Sequence, residues 1–484
     1  MRTVFKKYFL WLPIPLLLVL VTSVGMHLLT SINQDIGRHL TLGKVIWETH
    51  RVPDRNLFSY TWPDFPFVDH HWLAEVLLYL GDKAVGLKGL IVVKAFLITI
   101  AFGLSFFAVK RRDMVVPACL VGLVSVGILM ERTDVRPEVL SFLFWGWYLF
   151  VLFGRREKMF WTLPLIQVLW VNSHIYFFMG PLAFALFLVQ ESLDAKRLPN
   201  KRWLLTGAAI VLANLVNPSF IHGALYPLFV FRNYGYSIVE NQSPFFLRSF
   251  QYPQFTTHAV WAGVVILAVS IAANFRNIRH RIATSTLGLL TAIFAFMMIR
   301  NFPLFGLALI PAVVQNLSDL GIRDRGRALP VLLSVILAAL IYSTATNQIS
   351  ARLPTLGRFG LDVPVGSQAG VDFVRARDLK GPMFNNFDVG SFLIWKLPEE
   401  RVFIDGRPEA YPTDFIQNTY IAMQEDPGVW DRERERYGIR LIFWDNNDIT
   451  PWSQTFVARM KKDPAWPLVY DDGRTLIFVW RDAQ

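Results

Sequence analysis

The chain has a single cysteine among its 484 residues, Cys119, and it lies in an apolar run. An intramolecular disulfide and a cysteine metal cluster are thereby excluded, and a buried thiol is the expected role. Charge is also scarce. Asp, Glu, Lys and Arg make up 18% of the residues, where ordinary soluble domains carry about 25%. Neither an internal repeat nor a low-complexity tract is evident. The lack of two related halves weighs against a carrier built on repeats, whose charges sit near mid-span in broken helices.

Apolar side chains fill the chain instead, 53% of the total with 40 Phe. They gather in stretches of roughly 13 to 23 residues, which read as membrane-crossing helices. Spans are expected near 8–29, 87–109, 114–130, 139–153, 160–171, 177–189, 203–215, 259–273, 287–299, 302–314 and 329–342. Several are shorter than the roughly 20 residues a crossing helix needs, so their ends must run into polar flanks. The N-terminal MRTVFKKYF and the run after it mimic a secretory signal. That run is too long for one and lacks a small-residue cleavage site, so it is read as an uncleaved first span. The expected fold class is an α-helical polytopic membrane protein of about eleven transmembrane helices, followed by a small soluble α/β domain. The expected division is 1–345 as the transmembrane domain, with its first external loop at 30–86, and 346–484 as an extracytoplasmic α/β domain.

The formal net charge of +11 does not point to nucleic acid, because the basic residues sit in short clusters between apolar segments. With Lys6 and Lys7 inside, the inside connections carry Lys110-Arg111-Arg112, Arg155-Arg156, Lys196-Arg197 with Lys201-Arg202, Arg276 with Arg279 and Arg281, and Arg323 with Arg325 and Arg327. Every inside connection is basic, as the positive-inside rule requires. The expected setting is the cytoplasmic (inner) membrane, crossed many times, with a cytoplasmic N-terminus and the C-terminal domain outside.

The outside turns differ. They hold Glu131 to Glu138 with Arg132, Asp134 and Arg136, then Asn172-Ser173-His174, Asn217-Pro218, a long segment with Glu240, and Arg300-Asn301. Outside arginines run against the orientation bias, and an anion is the obvious partner because a guanidinium grips phosphate bidentately. Ion pairing of Asp134 with Arg132 or Arg136 accounts for the same residues. Asn241-Gln242-Ser243 matches a glycosylation sequon, a short pattern that chance supplies.

The first loop carries the densest chemistry. From Asp35 a helix places Asp35, Arg38, His39 and Leu42 on one face, with Ile32, Ile36 and Leu40 free to pack elsewhere, and it ends by Pro53-Asp54. A second polar cluster, Asp69-His70-His71, opens the next apolar helix, with Glu75 one turn later. An interfacial loop with solvated charges explains these residues equally well.

Beyond Tyr342 the composition turns polar. Helices are expected at 366–379, 389–397, 414–424, 429–437 and 452–462, extended segments at 382–387, 402–405 and 440–444, and a hairpin at 467–479 around Asp471-Asp472-Gly473. This stretch lacks the glycine-rich phosphate fingerprints, so it is not read as nucleotide-binding. Asn385, Asn386, Asp388, Asp405 and Arg407 are its most suggestive polar residues, and strand ends are also where ordinary turns lie.

The first loop resembles that of the GT-C superfamily of membrane glycosyltransferases, in which an acidic residue follows the first helix. Asp35-Ile36-Gly37-Arg38-His39 supplies the first part, and Asp69-His70-His71-Trp72-Leu73 stands where many members have a His-Pro-Pro-Leu-like sequence. The chain departs from that pattern in having no Asp-Glu pair at 35–36 and no prolines after His71. It is more similar to bacterial members that share RPE (136–138), WxNxH (170–174) and FIDGR (403–407).

The resemblance implies transfer of a sugar from a polyprenyl-phosphate or polyprenyl-diphosphate donor to a glycan, lipid or protein acceptor outside the cytoplasm; one base with direct displacement predicts inversion. The resemblance implies Asp35, Asp69 and His70 as catalytic candidates, Asp35 as the general base. Substrate contacts are expected from Arg38, His39, His71, Glu75, Arg132, Asp134, Arg136, Asn172, His174, Glu240 and Arg300. Some members use a divalent cation and others do not; here Asp35, Asp69 and His70 are the candidates to hold one such as Mg or Mn. A transporter or flippase of a lipid-linked sugar or another anion is the alternative, and no nucleic acid partner is expected.

Overall fold

Apolar segments surrounded by lipid must satisfy their backbone hydrogen bonds internally, and helices are what these stretches form. The computed structural model describes residues 11–29, 32–109, 113–230, 234–324, 326, 328–353 and 357–481. Lys6, Lys7, Lys110, Arg111, Arg112, Arg325 and Arg327, on which the orientation of the chain partly rests, lie outside these residues. The chain divides into two compact units. A helical unit comprises Met1–Leu28, Leu87–Ala224 and Ile238–Asp362, and a sheet unit comprises Leu29–Gly86, Leu225–Ser237 and Val363–Gln484.

Among the described residues, six helices are long and apolar enough to cross a membrane: Trp72–Phe106, Ile175–Ala195, Phe255–Ala273, Phe275–Met297, Ile299–Asp319 and Ala328–Ala345. The first is broken at Gly86, whose φ of 68° is open to glycine. Four more apolar helices, Pro13–Gly25, Val115–Leu129, Glu138–Leu152 and Thr162–Val171, hold only 10 to 15 residues. At 1.5 Å per residue they reach about 15–22 Å of a hydrocarbon core about 30 Å thick. The count of crossing helices by length and composition is therefore six among the described residues, against the eleven or so expected.

Within the helical unit, Ile299–Asp319 is the most enclosed crossing helix, with 83% of its apolar window buried. Pro311 lies inside it and has no N–H to give the carbonyl of Leu307. The hydroxyl of Ser105 donates to that carbonyl instead. Ser125 Oγ donates to Gly306 O at 2.6 Å and Trp145 Nε1 to Leu304 O at 3.1 Å, so three neighbours pin this helix by its backbone.

The sheet unit has four strands, β1 (Met383–Asn385), β2 (Leu441–Asp445), β3 (Leu468–Asp471) and β4 (Thr475–Val479), in the order β1-β2-β4-β3. β1 runs parallel to β2, and the other pairs are antiparallel, including the expected C-terminal hairpin. Two helices of this unit carry candidate site residues, α1 (Ile36–Thr49) and α2 (Phe387–Lys396). α1 ends at His50 in a left-handed cap, ahead of Pro53. It packs closely on α2, since a Cβ on Gly37 would lie 2.5 Å from the carbonyl oxygen of Ser391. Segment 402–405, expected to be a strand, joins no sheet. Val402 pairs with the first loop, donating to Phe58 O at 3.1 Å and accepting from Tyr60 N at 3.2 Å. That partner lies more than 300 residues away, so a local pattern does not show it.

Candidate functional site

Helix α1 begins at Asp35, and the 3.6-residue repeat turns Arg38 and His39 toward the interior of the sheet unit. Arg38 Nη2 donates to Asp35 Oδ1 at 3.2 Å, and the Asp35 side chain is 20% exposed. His39 Nδ1 lies 2.7 Å from Glu75 Oε1. Close approach of α1 to the start of the next helix makes this contact, because a Cβ on Gly43 would collide with the carbonyl of Glu75. Asp69 accepts from the backbone N–H of His71 at 3.1 Å and shares a hydrogen bond with the carboxyl of Glu75. One oxygen of each of these two carboxyls, Asp69 Oδ2 and Glu75 Oε2, is buried with no N–H or hydroxyl donor among the described residues. A single proton held between the two satisfies both. Burial pushes the Asp69 carboxyl above the ordinary carboxylate range. The rings of His70 and His71 lie 3.8 Å apart, His71 meets His39 at 5.7 Å, and Tyr226 covers His70 at 4.8 Å.

The two polar clusters of the first loop thus meet in one place, and part of the C-terminal region joins them. Arg407, fully buried, pairs with Asp405 through Nε to Oδ1 and Nη2 to Oδ2, both at 2.7 Å. Nη2 also donates to Asn56 Oδ1 at 2.9 Å, and the hydroxyl of Tyr411 donates to Asp405 Oδ2 at 2.8 Å. Phe58 and Phe67 flank the guanidinium at 5.4 and 5.0 Å. Burial opposes both charges, and each partner outweighs it, holding Asp405 below and Arg407 above its usual range. Among the described residues, Arg407 Nη1 and Arg38 Nε have no hydrogen-bond partner.

In the sequence, Asp405 and Arg407 stand out as suggestive strand ends and as part of the FIDGR pattern, and nothing marks Asn56, Ser391 or Tyr411. Asn385 and Asn386 serve the backbone: Asn385 accepts from Phe403 N and donates to Ile404 O, and Asn386 brackets the Asp445 peptide.

The remaining expected site residues belong to the helical unit. Arg132 holds Glu138 bidentately at 2.8 and 2.9 Å and reaches Glu240 Oε2 at 2.5 Å. Arg136 donates to the same Glu240 oxygen at 2.7 Å, and Arg300 Nη2 stands 3.8 Å from Oε1 while its Nη1 donates to Asn241 at 2.8 Å. Burial works against the Glu240 carboxylate, and the three arginines overcome it, holding it well below its ordinary value. Asp134 accepts from the N–H of Val135 at 2.9 Å. Asn172 donates to the carbonyls of Val168 and Val216, and His174 Nδ1 lies 3.0 Å from Ser141 Oγ. The expected constellation therefore falls into two groups, each within its own unit. Among the described residues, no group of three or more His, Cys, Asp or Glu side chains is arranged to hold a metal ion, Asp35, Asp69 and His70 included.

No protein-family model matches the chain, and no curated protein matches it by sequence. Solved structures do match. Archaeal oligosaccharyltransferase AglB from Archaeoglobus fulgidus, in complex with an inhibitory peptide and a dolichol-phosphate, superposes with a TM-score of 0.62 at 11% identity, over 97% of this chain and 74% of that one. ArnT from Cupriavidus metallidurans matches with a TM-score of 0.47 at 14% identity when bound to undecaprenyl phosphate, over 99% of this chain and 98% of that one. Its apo state gives 0.49 at 13% identity, with 98% of each chain covered. The likeness to AglB spans the transmembrane helices and the C-terminal sheet alike, and at this identity it speaks to the fold: the chain has the fold of the GT-C membrane glycosyltransferases.

Proposed function

We propose that this protein transfers a sugar from a polyprenyl-phosphate-linked donor to an acceptor outside the cytoplasm, with inversion at the anomeric carbon. The observation that carries the reading is the setting of Asp35. Its carboxylate is partly exposed and anchored by Arg38, while the Asp69, Glu75 and Asp405 carboxyls of the same cluster are buried. In this reading Asp35 takes the proton of the acceptor hydroxyl as its oxygen bonds to the sugar carbon, and the bond from that carbon to the phosphate oxygen breaks. The electron pair leaves with the polyprenyl phosphate. A single displacement of this kind inverts the carbon.

AglB, which shares the fold, was solved with a dolichol-phosphate, itself a polyprenyl phosphate. In the helical unit, Arg132, Arg136 and Arg300 gather at the carboxylates of Glu138 and Glu240, and a guanidinium can grip a phosphate bidentately. The basic connections support a cytoplasmic N-terminus and an external C-terminal domain.

The test is to give membranes carrying the protein radiolabelled polyprenyl-phosphate sugars together with cell-envelope acceptors. Label is expected to move to an acceptor with its anomeric configuration inverted. Label that crosses the membrane while still on its lipid would identify a flippase instead.

A further inference from the structure

We infer that the space over Gly406 is a binding place for one hydroxyl group, held between Ser391 and Asp35, and that it seats the accepting hydroxyl. The identity of that hydroxyl rests on the transferase reading; the site itself rests on the geometry of the sheet unit.

Gly406 occupies the tight turn of Asp405-Gly406-Arg407, in which Arg407 N donates to Asp405 O at 2.7 Å. Its φ is not among the positive ones, so the backbone itself does not call for glycine there. Space does. A Cβ on Gly406 would stand 3.1 Å from Ser391 Oγ and 3.4 Å from Asp35 Oδ1, and among the described residues nothing else outside the turn comes within 4 Å. Gly406 is only partly buried, so this space can be reached.

The two facing atoms are both oxygens, and one lacks a hydrogen bond. Ser391 is fully buried in α2, yet among the described residues its hydroxyl finds no partner, not even a carbonyl of its own helix. Buried hydroxyls are rarely left this way. The Ser391 O–H is satisfied by a ligand atom above Gly406 that accepts from it and donates to the Asp35 carboxylate. A hydroxyl does both. An ammonium can donate to both oxygens but leaves the Ser391 O–H without an acceptor, and a phosphate or carboxylate is repelled by Asp35.

The surroundings hold these atoms in place. A Cβ on Gly390 would lie 2.8 Å from Asp405 Cα, which fixes α2 against the turn, and the bidentate Asp405–Arg407 pair fixes the turn itself. The contact of Gly37 with Ser391 fixes α1 against α2. A hydroxyl seated here places its proton on the line to Asp35, the transfer that the proposed reaction requires.

Two measurements on the full-length protein in nanodiscs test this. The first compares Gly406→Ala, Ser391→Ala and Asp35→Asn for transfer from radiolabelled polyprenyl-phosphate sugars to envelope acceptors. Gly406→Ala is expected to abolish transfer or raise the acceptor KM at least roughly tenfold, and Ser391→Ala to raise it several-fold, as loss of one hydrogen bond does. Donor affinity and thermal stability should stay as in the wild type, which a merely structural role would not give. Both variants transferring with an unchanged acceptor KM would overturn the inference. The second is a high-resolution map in glycerol. A water or glycerol oxygen within roughly 3.2 Å of both Ser391 Oγ and Asp35 Oδ1 is expected in the wild type, and none in Gly406→Ala. A Ser391 hydroxyl turned back to its own helix beneath empty space would overturn it. If the wild type transfers no label, the transferase reading fails; if Asp35→Asn transfers normally, Asp35 is not the base; in either case the map still decides the hydroxyl site.

Discussion

Asp69 gives one oxygen to the backbone of His71 and turns the other toward Glu75, and burial raises its proton affinity. A carboxyl whose folded pKa lies above its unfolded value near 3.9 binds its proton more tightly in the folded state. Its contribution is fully present below the unfolded value and is lost as pH rises through the folded one, so ionised Asp69 costs stability at neutral pH. Asp69→Asn keeps an acceptor for His71 and offers Glu75 an N–H in place of the shared proton. The variant is expected to be more stable than the wild type at pH 8 by about 1 kcal/mol. The gain should fade as pH drops into the ordinary carboxylate range, where Asp69 is protonated anyway. Thermal unfolding across pH checks this, and a variant less stable at pH 8 would contradict it. At this scale the sequence made Asp35, Arg38, His39, Asp69 and Glu75 legible, because titratable side chains stand out at helical spacing. Ser391 was not, because a serine on an apolar helix carries no mark of the partner it lacks.

A proline within a crossing helix needs another group to take over the hydrogen bond it cannot give, and Ser105 does this for Pro311 by bonding the Leu307 carbonyl. Ser105→Ala leaves that carbonyl unpaired in the helical unit. It is expected to lower stability by about 1–2 kcal/mol, read as a lower thermal midpoint in detergent or nanodiscs; an unchanged midpoint would show that the carbonyl finds another donor. Elements were largely legible where the signal is local. The helices of the C-terminal region and its hairpin lie where apolar periodicity and the Asp471-Asp472-Gly473 turn placed them. Segment 402–405 was not legible, since its partner is the loop at 58–60. Span length was also hard to read, because a dozen apolar residues describe a short buried helix as well as a crossing one.

Across the whole molecule, each compact unit draws on three separate stretches of chain, and the sheet unit takes in Leu29–Gly86. No local composition announces such membership, which depends on contacts between residues hundreds of positions apart. It gives Asp35 the neighbours on which its proposed role depends: Arg38 on its own helix, and Ser391 and Gly406 from the C-terminal stretch. Asparagine has nearly the shape of aspartate and can still accept from Arg38, but it takes no proton at neutral pH. The decisive measurement is the initial rate of sugar transfer by the full-length Asp35→Asn variant in nanodiscs, with donor binding measured on the same sample. The rate should fall by about a hundredfold or more, the usual worth of a general base, while the donor still binds as it does to the wild type. Transfer at the wild-type rate would contradict the role given to Asp35.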